Sequence, residues 1–339
     1  MSFSVLNPGG RDPEQAFPAG PGSPGDPGHP PVNYHAYAAC RRGGFYREEK
    51  SIPVGTVLVL LRKRTLGRAL AAISLLRRRG CRVFVSCKES GSHQVADLLG
   101  DVSRWELFRE ICSASDGAIS STPELVPVYR AAGAPCAEFI PTPYPVDFPA
   151  WDFSQPLDKR FGIFVGTREF GTPSRNHLAA VLLADEISRG LSCPLAVVNS
   201  EGRAGGMLLK SLRKRNPLLY ILESPLPYPD YLRIMARHRI VWQLDSSAVP
   251  GQVAGDALLC RMPCLGGNGA VERIAFREFF GASRDNLAAH ARDLLQIDDA
   301  WHAAVRRAGE CAQERLSFRT GAEALSKFAI DAMAGRRDG

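Results

Sequence analysis

The chain predicts an α/β protein built as two alternating strand–helix halves with parallel sheets. Three observations carry this. Residues 56–61, 66–79 and 81–86 read as strand, helix and strand, and that order at that spacing makes a βαβ unit. The same alternation restarts at Phe161. Between the two series, residues 141–149 hold four prolines, which suits a rigid linker.

Residues 1–32 carry eight Pro and six Gly. Such a segment buries too little apolar surface to offset its ordering entropy, so a disordered tail is expected. Residues 33–50 form a lead-in whose Tyr34, Tyr37, Phe45 and Tyr46 have apolar rings to bury. Residues 56–61 are a continuous apolar strand, and Leu70, Ile73 and Leu76 mark the helix over 66–79 that Gly80 ends. One long helix is expected over 93–113, then a strand at 116–120, a helix at 123–132 and a strand at 139–141. The second series gives strands at 162–166, 194–198, 219–222, 240–244 and 263–265. Helices fall at 176–189, 207–214, 228–237, 253–260, 286–295, 300–315 and 322–333. The domains read as tail and lead-in 1–50, a reduced first domain 51–148, a second domain 149–320, and a final helix and tail 321–339. This is two Rossmann-like domains facing a cleft, with ligands expected at the carboxyl ends of the strands.

Composition narrows the function classes. The 339 residues are 45% hydrophobic, with 42 basic against 35 acidic side chains, a net charge of +7. Arg dominates, since seven of the basic residues are Lys. A spanning helix needs about 20 apolar residues in a row, and no such run occurs. No signal peptide is visible, so a cytoplasmic location is expected. The nine cysteines are odd in number and lack a CxxC pair, which predicts reduced thiols and no metal site. Without a zinc-finger spacing or an RNA-binding aromatic signature, nucleic acid is not an expected partner. An Arg-rich surface leaves peripheral contact with an anionic membrane open, and the short first domain leaves room for another copy or a partner to complete it.

Three loops carry candidate chemistry. Phe164-Val165-Gly166-Thr167-Arg168, followed by Arg175-Asn176 at a helix start, offers close backbone approach, helix N–H groups and a guanidinium fork for phosphate. A tight turn with solvated arginines is the plainer reading. Next, Asp245, Ser246, Gln252, Gly255 and Asp256 lie on a polar loop running from a buried strand into a helix of small residues. Ordinary capping would also explain them. Finally, Gly266-Gly267-Asn268-Gly269-Ala270-Val271-Glu272 has the composition of an anion-binding nest, which ordinary turns share.

In combination, and in this order, these loops resemble the nucleotide-sugar half of GT-B glycosyltransferases, above all the retaining family 4 (group 1) type. Val197-Val198-Asn199-Ser200-Glu201-Gly202 resembles that family's second strand, with Asn199 where the family has glycine. Residues 254–264 are similar to its acidic helix followed by glycine-x-proline, and Gly266-Gly267 with Glu272 match its next motif. The likeness spans about residues 105–333. It departs at Ala248, eight residues before Asp256, where the family has its first glutamate. The family's opening strands and glycine-rich acceptor loop are also not evident, with only about 95 residues between Ser51 and the linker.

The resemblance implies sugar transfer from a nucleotide-sugar to a glycan, lipid or small-molecule acceptor, with no cofactor and with cations and helix N–H groups in place of a metal. It implies that Thr167, Arg168 and Arg175 hold the diphosphate. Asp256 would orient the sugar or ribose, Glu272 would accept a hydroxyl, and His93 would serve the acceptor side. Gly166, Asn199, Asp245, Ser246, Gln252, Gly255, Gly266, Gly267 and Asn268 would line the nucleotide-sugar. Two alternatives share this architecture: a non-catalytic nucleotide-sugar or glycan binder, suggested by Ala248, and a 2-epimerase-like isomerase.

Overall fold

The structure is a computed structural model that describes residues 3–9, 32–223 and 226–334. Most of the expected disordered tail, residues 10–31, lies outside the described residues. The chain divides into two units. The first comprises Met1–Asp147, Ala248–Pro250 and Arg315–Gly339, and the second Phe148–Ser247 and Gly251–Glu314.

The first unit holds a six-stranded parallel sheet. Its strands are β1 Phe3–Leu6, β2 Phe45–Tyr46, β3 Thr56–Leu61, β4 Arg82–Cys87, β5 Gly117–Ser120 and β6 Ala137–Phe139, in the order β2-β1-β3-β4-β5-β6. β3 is buried along its whole length, as an apolar run in a parallel sheet covered on both faces must be. Around the sheet run α1 Tyr34–Ala39, α2 Leu66–Arg78, α3 Ser92–Leu98, α4 Val102–Ala114 and α5 Val126–Ala131. Leu66, Ala69, Ile73 and Leu76 of α2 join Val57, Val83 and Phe108 in one core. Each fully buried Leu or Ile there contributes roughly 1.5–3 kcal/mol.

Two expectations need correction here. The tail reading fails at its first residues. Phe3–Leu6 is an interior strand, pairing Val5 with Phe45 on one side and with Leu58 on the other. Its four buried residues are stabilised by partners about fifty positions away, which local composition does not reveal. β1 and β2 thus supply opening strands that the pattern reading did not find. The single helix over 93–113 is two helices. Gly100 interrupts it, and Asp101 caps α4 by accepting the Arg104 N–H at 2.9 Å.

The lead-in aromatics do pack. Tyr37 donates to the Ile140 carbonyl at 2.7 Å, and His35 stacks on Phe45 at 4.0 Å.

The second unit holds a five-stranded parallel sheet of β7 Ile163–Val165, β8 Leu195–Asn199, β9 Leu219–Glu223, β10 Ile240–Trp242 and β11 Cys264–Leu265, in the order β11-β10-β7-β8-β9. Its helices are α6 His177–Leu191, α7 Gly202–Arg213, α8 Tyr228–Met235, α9 Gln252–Leu259, α10 Ala270–Ala275, α11 Arg284–Gln296 and α12 Asp298–Arg315. α6 and α7 carry the chain outward from β7 to β8 and β9. α8 brings it back to the other side of β7, where β10 pairs with it. This reversal puts a topological switch point at the carboxyl ends of β7 and β10, the place where open parallel sheets bind ligands. Trp242 is fully buried and donates its indole N–H to the Ala180 carbonyl at 3.1 Å, locking β10 to α6.

The last helix, α13 Phe318–Ala334, starts earlier than the expected 322–333 and belongs to the first unit rather than standing beyond the second. Phe328 packs on Phe84 at 4.8 Å, and Arg82 donates to the Ala329 carbonyl at 2.7 Å.

Among the described residues, no helix is long and apolar enough to cross a membrane. All nine cysteines are free thiols.

Candidate functional site

The switch point of the second sheet gathers the first two candidate loops. The loop after β7 runs through Gly166, Thr167 and Arg168 to α6, and the loop after β10 runs through Asp245, Ser246 and Ser247 to α9. They are laced together. Ser246 donates its backbone N–H to the Ser174 carbonyl at 2.8 Å, Ser247 bonds the Ser174 hydroxyl at 2.9 Å, and Asn176 donates to the Leu244 carbonyl at 2.9 Å. The Arg175 guanidinium completes the lacing by pairing with Asp245 and, at 2.9 Å, with Glu169.

Close approach of α9 to β7 depends on Gly166. A Cβ there would collide with the Val253 side chain in the first turn of α9. Gly251 caps α9 with a φ of 92°, a left-handed conformation that favours glycine, and it has no side chain to satisfy the helix's first N–H groups. Those groups and the positive end of the helix therefore border the switch point, the arrangement that suits an anion.

Arg168 is exposed and, among the described residues, in no ion pair. Its charge reaches Asp256 in α9. Asp256 is buried, and one of its oxygens accepts the Tyr228 hydroxyl at 2.5 Å. Burial pushes its carboxyl up to about 7, against the pull of Tyr228 and Arg168.

Glu272, also buried, accepts the Gln243 side-chain N–H at 2.7 Å on one oxygen, while its other oxygen has no hydrogen-bond partner among the described residues. That oxygen lies against Gly251 and Gly269, the N-caps of α9 and α10, so a side chain at either position would strike it. Burial pushes Glu272 up to about 7 as well. Two buried carboxyl groups raised towards neutrality thus lie on neighbouring helices, α9 and α10, at this end of the sheet.

Thr167 is 5% exposed, and its Oγ1 lies 2.9 Å from His177 Nδ1. Burial lowers the His177 imidazole to about 4, so it is neutral at physiological pH.

No family model matches the chain, and no curated protein matches it. Solved structures do. The Anabaena protein HepE in complex with UDP-glucose superposes with a TM-score of 0.59 at 12% identity, over 81% of this chain and 78% of that one. A UDP-forming α,α-trehalose-phosphate synthase from Burkholderia xenovorans gives 0.59 at 11% identity, over 82% and 73%. A glycosyltransferase from Rickettsia africae gives 0.56 at 12%, over 83% and 77%. This chain has the GT-B fold. At such identities the likeness fixes architecture, and the chemistry must come from the residues themselves.

Within this GT-B chain the sequence-picked residues sort into three groups. Gly166, Thr167, Arg168, Asp245, Ser246, Gln252, Gly255 and Asp256 come together at the switch point, on the β7 loop, the β10 loop and α9. Gly266, Gly267 and Asn268 follow β11 at the neighbouring strand end, next to Glu272.

Arg175 and Asn199 are placed differently from the expectation. Arg175 is committed to Asp245 and Glu169, whereas Arg168 is exposed. Asn199 is buried and spends its amide inside the turn after β8, donating to the Gly202 carbonyl and to Glu223 at 2.9 Å each. His93 belongs to the first unit, in the first turn of α3.

Pattern reading missed His177, Tyr228, Gln243 and Ser174, the partners that fix Thr167, Asp256, Glu272 and the lacing. His177 directly follows the picked Asn176, and Tyr228 opens a predicted helix. Position in the chain was therefore the only signal available.

Proposed function

We propose that the chain is a glycosyltransferase that takes a hexose from a UDP-sugar held in its second unit and passes it to a glycan, lipid or small-molecule acceptor. The observation that carries this is Arg168. It is an exposed guanidinium in no ion pair among the described residues, on the loop after β7 at the switch point of a parallel sheet, and its charge reaches Asp256 in α9, a helix whose N-cap, Gly251, offers no side-chain cap. Support also comes from the GT-B structures above, HepE being in complex with UDP-glucose and the Burkholderia enzyme being UDP-forming.

In this reading the diphosphate leaving group develops negative charge as the glycosidic bond breaks. Arg168 and the α9 N–H groups, already in place, stabilise that charge without reorganisation. Asp256 orients the sugar or ribose, and the unpartnered Glu272 oxygen accepts a hydroxyl. Nine free thiols suit a reducing compartment, and we place the protein in the cytoplasm.

A second reading is binding of the same nucleotide-sugar without transfer. Ala248, where the related motif carries an acid, and the Tyr228 hydroxyl on Asp256 favour it. Release of UDP from UDP-glucose, lost in Asp256→Asn, would exclude it.

The decisive test is thermal unfolding against a panel of nucleoside diphosphates. A ligand at 100 times its Kd adds roughly 2.7 kcal/mol of stability, which is visible as a Tm shift. UDP should raise Tm, and Arg168→Ala should weaken UDP about 10- to 100-fold, the loss of a charged hydrogen bond worth ~1.5–3 kcal/mol. No shift with any member of the panel would sink the reading.

A further inference from the structure

Among the described residues, the Thr167 hydroxyl and the His177 ring have no hydrogen-bond partner but each other. Thr167 Oγ1 lies 2.9 Å from His177 Nδ1, while His177 Nε2 is buried and makes no hydrogen bond. The bond can run in two directions, and they are not equivalent. If the Thr167 hydroxyl donates, the neutral ring carries its proton on Nε2, and a buried N–H meets no acceptor. An unsatisfied buried donor costs roughly 1–3 kcal/mol. If Nδ1–H donates, the ring carries no unpaired N–H and only its Nε2 lone pair is bare; the donor left over is the Thr167 O–H, a rotor that a ligand oxygen can satisfy.

We infer that His177 is a positioning residue. Its Nδ1–H holds Thr167 Oγ1 as an acceptor, which leaves the Thr167 hydroxyl proton to be donated to a phosphate oxygen of the bound nucleotide. This rests on the UDP-sugar reading above and adds a residue to it.

The surroundings fix His177 for that task. It is the first residue of α6, immediately after Asn176, whose left-handed backbone (φ 49°) is anchored through its side chain to Leu244 and Ser246. The Phe170 ring lies 4.3 Å from the imidazole, tilted by 60°, and covers it. Because burial keeps the ring neutral, the hydrogen-bond direction depends on the tautomer and not on charge. Thr167 itself lies between Gly166 and Arg168 on the loop after β7, at the switch point.

The test is calorimetric titration of the full chain with UDP and with uridine, for wild type, Thr167→Val, His177→Phe, His177→Asn and the Thr167→Val/His177→Phe pair. His177→Phe and Thr167→Val should each weaken UDP by about 10-fold, and the pair by no more than about 10-fold, since both remove one interaction. His177→Asn, whose amide can donate in place of Nδ1–H, should stay within about threefold of wild type. Uridine, lacking phosphate, should bind all five proteins alike.

Wild-type UDP affinity in either Thr167→Val or His177→Phe, additive losses in the pair, or a parallel fall in uridine affinity would overturn the assignment. A wild-type protein that binds no UDP would instead overturn the UDP-sugar reading, and this inference with it. Should His177→Phe fail to fold, Thr167→Val and His177→Asn still decide.

Discussion

Each unit carries a polar cluster near the carboxyl ends of its strands, and the two clusters differ in kind. In the first unit the Tyr34 hydroxyl meets Ser86 at 3.0 Å and Ser90 at 3.1 Å, with Ser121 and the Cys87 carbonyl close by. Every member is neutral and each hydroxyl finds another. Burial raises the Tyr34 phenol further above its ordinary range. In the second unit, Arg175, Asp245, Asp256 and Glu272 bring charge, and two buried atoms, Glu272 Oε2 and His177 Nε2, have no hydrogen-bond partner among the described residues. A closed neutral network holds a core together. An open charged one sacrifices stability for chemistry, which is why the second cluster is the one we propose for ligand.

The sharpest way to break this contrast is at the lacing. Arg175→Ala should lower unfolding free energy by about 2–4 kcal/mol, because it leaves the buried Asp245 carboxylate without its countercharge. Chemical denaturation would read this, and a loss under about 0.5 kcal/mol would mean that the two loops do not depend on the pair.

A smaller effect is expected from pH. Asp256 and Glu272 are held at about 7 in the folded chain, above their ordinary 3.8 and 4.5. The folded state therefore keeps protons that the unfolded state gives up between roughly pH 4 and 7. Stability from these groups is present below about pH 4 and is lost as pH rises through about 7. The Tm of an Asp256→Asn/Glu272→Gln variant should accordingly fall less than the wild type's between pH 5 and 8. An unchanged slope would argue that these carboxyls titrate normally.

The smallest effect belongs to the neutral cluster. Tyr34→Phe should cost about 1 kcal/mol, the net worth of a buried hydrogen bond, and leave UDP affinity untouched. A change in UDP binding would erase the distinction between the two clusters.

What the sequence disclosed follows the same division between local and distant causes. β3, α2 and β4 are legible because apolar spacing and Gly80 are local signals. The loops after β7, β10 and β11 are legible because glycines and polar residues punctuate strand ends. Commitments made across the chain are not legible. Arg175 and Asp245 stand seventy positions apart, so nothing near either residue shows that the arginine is already engaged. Asn199 looks like a ligand contact until its bonds to Gly202 and Glu223 are seen. β1 fails for the same reason, since four residues become a strand only beside β2 and β3.

That last feature bears on how the protein is handled. The Pro/Gly-rich composition of the first 31 residues invites starting a recombinant chain at Val32. Such a truncation would remove an interior strand, parting β2 from β3 and baring the edge of β3, a template for intermolecular pairing. Poor solubility of a trimmed protein would then report a missing strand, and not an intrinsic reluctance of this sequence to fold.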